Sequence, residues 1–125
     1  MEKIVFNDFE QIMSYDVVRD NACIEMEFCV EGNKGYNSCW LGKTFSKERD
    51  KSEYWFGLTK DGTQAYEFDT FAKFISAKVF GDSCLKEIWD LIYIYSLDGC
   101  DVKERLPFYL GLEDGPIRSA AIPLA

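Results

Sequence analysis

The chain has 125 residues, 47% of them hydrophobic and 16% aromatic, enough to bury one core of ordinary domain size. Its 22 acidic residues outweigh 14 basic ones for a net charge of −8, which opposes binding to phosphate backbones and anionic membrane surfaces and permits a basic protein partner. Histidine is absent, which removes Ser-His and Cys-His nucleophile pairs, the paired-histidine zinc site and the commonest general base near neutral pH.

The cysteines, Cys23, Cys29, Cys39, Cys84 and Cys100, are odd in number and have no Cys-x-x-Cys spacing. That fits neither a disulfide framework nor a zinc knuckle, and predicts reduced, mostly buried thiols with no metal and no cofactor. The opening MEKIVFNDFEQ lacks a basic stretch followed by an apolar one, and the longest apolar run, Leu91 to Leu97, is too short to span a bilayer. The expectation is one cytoplasmic domain over residues 1–125.

In chain order, Asn7 to Met13 predicts a short helix capped by Asn or Asp, with Phe9, Ile12 and Met13 on one side. Ala22 to Glu31 alternates strictly. Ala22, Ile24, Met26, Phe28 and Val30 fall on one face of a strand, and Cys23, Glu25, Glu27, Cys29 and Glu31 on the other. A turn over residues 31–37 leads to a second strand at Ser38 to Lys43, and Thr44 to Ser52 reads as a charged loop.

A third strand, Glu53 to Thr59, runs into Asp61-Gly62, a strong hairpin signal, and Gln64 to Asp69 follows as the fourth. A two-residue turn there sets Gly57 opposite Tyr66 and Trp55 opposite Phe68, so Gly57 makes room for the Tyr66 ring. The chain writes Trp-x-Gly twice, at Trp40 and Gly42 and at Trp55 and Gly57. Packing is the favoured reading of both, since glycine inside a strand marks close approach more often than a cleft.

Past Phe68 the period changes. Asp69 or Thr70 caps a helix with Phe71, Phe74 and Ile75 on one face, and Asp82-Ser83 opens a second with Leu85, Ile88, Trp89 and Ile92 in a stripe. Ile92 to Asp98 reads as a strand closed by Gly99, then a helical turn from Asp101 stops at Pro107. The end, Ala120 to Ala125, carries no charged side chain and suggests packing or a homodimer contact. The order predicts an α+β fold: a mostly antiparallel sheet of about five strands with two or three short helices packed on it.

Three chemical motifs fail on spacing. Leu41-Gly42-Lys43-Thr44 ends like a phosphate-binding loop, but Gly35 stands seven residues before Gly42 where the motif needs five. Asp98 to Asp101 lacks the order and distal glutamate of a calcium loop. The Cys23, Glu25, Glu27, Cys29 ladder would not close a tetrahedral shell. Glu67, expected on the face of Phe56, Leu58 and Ala65, is a weak candidate for a perturbed carboxyl.

Taken together, CWLGK, YWFGL, DG, YEFDTF, AKVF, SCLKEIWD, DGC and ERLPFYL resemble a group of small uncharacterised proteins of Firmicutes bacteria, best between Trp40 and Leu110. The resemblance implies a cytoplasmic bacterial protein and carries no activity or site residue. From the residues themselves, the expected function is non-catalytic. The leading expectation is a small acidic recognition protein of inhibitor or immunity type, meeting a basic partner through Glu25, Glu27 and Glu31. The alternative is a small-molecule binding or sequestering protein, for example in phage anti-defence, with an aromatic pocket of Trp40, Trp55, Tyr66 and Phe68.

Overall fold

A computed structural model describes residues 1–111. Five antiparallel strands, β1 (Cys23–Val30), β2 (Cys39–Ser46), β3 (Lys51–Gly57), β4 (Ala65–Phe68) and β5 (Ile92–Leu97), form one sheet in the order β4-β3-β2-β1-β5. Four short helices, α1 (Phe6–Met13), α2 (Val17–Asp20), α3 (Phe71–Ser76) and α4 (Val102–Leu110), accompany it among the described residues. The fold is α+β.

The order of strands decides where everything else goes. β1 to β4 form a meander, but β5 pairs with β1, so the chain between β4 and β5 must travel from one edge of the sheet to the other. It crosses a single face. Ile24, Met26, Phe28, Leu41, Phe56, Ile92 and Ile94 point to that face and join one core with Phe9 and Ile12 of α1, Phe74 of α3, Val102 and Tyr109 of α4, and Phe80, Leu85 and Trp89 of the crossing segment. Phe56 and Phe74 stack at 4.4 Å, and Phe9 meets Trp89 at 4.3 Å. Each such ring, fully buried, contributes about 1.5–3 kcal/mol. At the far edge, Glu2 exchanges two backbone bonds with Ile94, covering β5.

Several expectations need correcting. The turn between β3 and β4 is longer than two residues. Asp61 is not in the left-handed region that a two-residue turn demands of its first residue; only Gly62 is, at φ +78°. The Asp61 carboxylate instead accepts from the Thr63 amide and from the Thr59 and Thr63 hydroxyls, and the loop closes where the Leu58 amide donates to Gln64. Gly57 therefore pairs with Ala65, Phe56 with Tyr66, Trp55 with Glu67 and Tyr54 with Phe68. A slip of one residue reverses every side chain of β4.

The stripe Leu85, Ile88, Trp89, Ile92 does not form a helix. Leu85 and Trp89 are buried as expected, but Ile92 already belongs to β5, and only Trp89–Leu91 makes a 3-10 turn. Glu87 ties this segment locally, accepting from the Cys84 amide and from Lys78. α4 continues through Pro107 to Leu110, where Gly111 ends it at φ +70°. α1 starts after Val5, with no side-chain cap. The charged loop shrinks to four residues, 47–50, because β2 and β3 extend to Ser46 and Lys51. The uncharged end Ala120 to Ala125 lies outside the described residues.

Candidate functional site

Since the helices and the crossing segment share the inner face, no helix among the described residues packs on the outer face of the sheet, and Met1 covers it at Cys29. The alternation of β1 puts Cys23, Glu25 and Glu27 there, and the pairing registers extend two rows across the strands. One row reads Glu25, Gly42, Trp55, Glu67; the next reads Glu27, Trp40, Gly57, Ala65. The two Trp-x-Gly copies are thus one hairpin in antiparallel register, each tryptophan facing the other's glycine.

The two glycines do different work. A Cβ on Gly42 would stand 2.5 Å from Cζ2 and 2.8 Å from Cε2 of Trp55, and closer still to the Ile24 carbonyl oxygen. The Trp55 indole lies on Gly42, and its Nε1 donates to Thr44 Oγ1 at 2.7 Å, which fixes the ring. At Gly57 the nearest atom is Trp40 Cβ at 4.0 Å, so the space above it is open. A shallow hollow of about 520 Å³ spreads from Gly57 over Ala65 to Trp55 and Glu67. On the other side of Gly57 a smaller one meets Ser38, Trp40, Thr59 and Lys60.

Charge on this face is one-signed near its middle. Glu25 and Glu67 are exposed, and Glu27 is half-buried and accepts from the Ser38 hydroxyl at 3.0 Å. None of the three has an ionic partner among the described residues, whereas Glu53, next along β3, is held by Arg49 at 3.0 Å. Trp40 is 39% exposed, high for a residue of its size.

The expected sites are partly regrouped. Glu25 and Glu27 do share the outer face, but β1 ends at Val30 and Glu31 stands in the following turn, its amide donating to Leu91. Between them Cys29 is buried, its thiol 3.7 Å from Met1 Sδ. The aromatic pocket of Trp40, Trp55, Tyr66 and Phe68 does not exist as a unit: the tryptophans are outward, while Tyr66 and Phe68 turn inward opposite Phe56 and Tyr54 and pack against the core. Glu67 moves the opposite way, from the expected apolar face to the outer one. The packing role expected at Gly42 holds, and the ring it admits from the neighbouring strand is that of Trp55 on β3.

Two other polar groups invite a chemical reading and have structural work. Lys43, 6% exposed, donates to the Met13 and Tyr15 carbonyls at 2.8 and 2.7 Å, satisfying the end of α1, with its Nζ over the Tyr54 ring. Burial lowers its pKa below the ordinary lysine value. Its place inside a strand also disposes of the phosphate-loop resemblance of Gly42-Lys43-Thr44. Asp98, at φ +55°, accepts from the Glu25 amide, from Arg105 Nε at 2.9 Å and from the Tyr109 hydroxyl, joining β1, β5 and α4. Burial, then the Asp98 carboxylate, pushes the Tyr109 hydroxyl pKa up.

All five cysteines are free; Cys29, Cys39 and Cys84 are buried, Cys23 and Cys100 exposed. No group of three or more acidic or cysteine side chains among the described residues is arranged to hold a metal ion, and no helix there is long and apolar enough to cross a membrane. Comparison with protein-family models, with curated proteins and with solved structures gives no match.

Proposed function

We propose that the protein is a non-catalytic recognition module, of inhibitor or immunity type, that binds a basic partner protein on the outer face of its sheet. The observation that carries this reading is the bare face itself, where two tryptophans alternate with glycines between rows ending in Glu25, Glu27 and Glu67. Aromatic side chains supply contact area at low entropic cost, and unpaired carboxylates around them steer a cationic surface and penalise an acidic one. A second copy meeting this face with its own would set like charges together. The small-molecule alternative loses Tyr66 and Phe68 to the inner layer.

The test is capture from host lysate by the wild type and by the double variant Glu25→Lys, Glu27→Lys. Glu25 is exposed and Glu27 half-buried at the surface, so the variant should keep its circular dichroism and melting temperature. A basic protein retained by the wild type, released by salt and absent from the variant supports the reading. Identical partners on both, or none on either, would overturn it.

A further inference from the structure

We propose that the hollow over Gly57 and Ala65 seats one arginine side chain of that basic partner. This rests on the reading above that the outer face meets a basic protein, and it names the side chain and the place. The floor is a glycine and an exposed alanine, Gly57 and Ala65, which pair directly and leave about 520 Å³ open. Trp55 forms one wall. It is fixed before any partner arrives, by its bond to Thr44 Oγ1 and its seat on Gly42, so little ordering is left to do on binding. Glu67, exposed and directly opposite Trp55 in the register, brings a carboxylate to the same hollow without an ionic partner of its own among the described residues.

Trp55, its indole turned toward β2, and Glu67 on β4 border the same hollow from two sides, and an aromatic residue and a carboxylate without an ionic partner around one hollow suit a cation. The planar guanidinium fits better than an ammonium, because it stacks on an aromatic ring while its fork of N–H groups meets a carboxylate with two bonds. The neighbouring hollow beside Trp40 contains Lys60 and repels a second cation, which assigns the arginine to the Trp55 side of Gly57.

The probe is N-acetyl-argininamide, titrated into the full chain at low salt and followed by the backbone amides of Gly57 and Ala65 and by the indole N–H of Trp55. We expect these signals to move together and saturate. Ala65→Leu, which fills the floor, should abolish the response, and Glu67→Gln should weaken binding about threefold, the range of an exposed ion pair. The lysine compound should bind more weakly.

Shifts elsewhere, no response, equal binding of the lysine compound, or indifference to both Glu67→Gln and Ala65→Leu would overturn the seat. If Ala65→Leu fails to fold, Glu67→Gln still decides. An oligoarginine peptide separates this from the broader reading. Binding lost in Glu25→Lys, Glu27→Lys but unchanged in Glu67→Gln and Ala65→Leu overturns the seat and spares the recognition surface, whereas no binding to the wild type counts against both.

Discussion

Trp55 rests on Gly42 across the β2–β3 pairing, its ring occupying the place where any other residue at position 42 would carry a side chain. Replacing Gly42 by Ala must push the indole away and strain a strand that the Ile24 carbonyl already crowds. We expect a loss of about 1–3 kcal/mol, the usual scale of overpacking. Gly57→Ala should stay within about 1 kcal/mol of wild type, since a methyl there meets only open space and strands tolerate alanine better than glycine. Urea titration of both variants checks the contrast, and equal losses would refute it.

Lys43 offers a second test, because its stem fills core volume and its ammonium holds two carbonyls at the end of α1. Lys43→Ala removes both, leaving a cavity and two orphaned acceptors. A loss of about 2–4 kcal/mol is expected. Hydrogen exchange should show α1 opening earlier than the sheet; uniform loosening would mean the lysine does not anchor the helix.

Asp98 sits where three elements converge and takes a backbone conformation that aspartate and asparagine accept more readily than alanine. Asp98→Ala should cost about 2–4 kcal/mol by freeing the Glu25 amide, Arg105 and the Tyr109 hydroxyl at once. Asp98→Asn keeps the conformation and an acceptor oxygen, so it should lose less. A ranking in which the two variants are equal would show that the backbone conformation and the remaining acceptor contribute nothing.

The Asp61 loop predicts a pH dependence. The Thr63 amide, with the Thr59 and Thr63 hydroxyls, holds the Asp61 carboxyl at about 2, below its ordinary 3.8. A folded-state pKa below the unfolded one means that the unfolded chain binds the proton more tightly. The contribution of Asp61 to stability is therefore complete above the ordinary value and disappears as pH falls from about 4 to about 2. Asp61→Asn should be less stable than wild type at neutral pH and converge on it in acid. A constant difference across that range would contradict the assignment.

Local sequence was enough for whatever depends on neighbours along the chain. Strict alternation fixed which residues of β1 share a face, since successive side chains of any strand point oppositely, and Thr70 capped α3 because the bond from the Lys73 amide is local. The α+β class followed from the change of period after Phe68. Contacts between segments were decided only in three dimensions. The length of the Asp61 loop hung on side-chain bonds between Thr59, Asp61 and Thr63, and one residue of difference sent Tyr66 and Phe68 inward and Glu67 outward. The stripe from Leu85 to Ile92 carried a helical period, but β5 claimed its last residue for pairing with Val30, and ladder bonds outweighed the local preference. The bare face is the clearest case: it arises because β5 pairs with β1 and draws the connecting chain over one side, a choice made by the assembled sheet that no single segment carries.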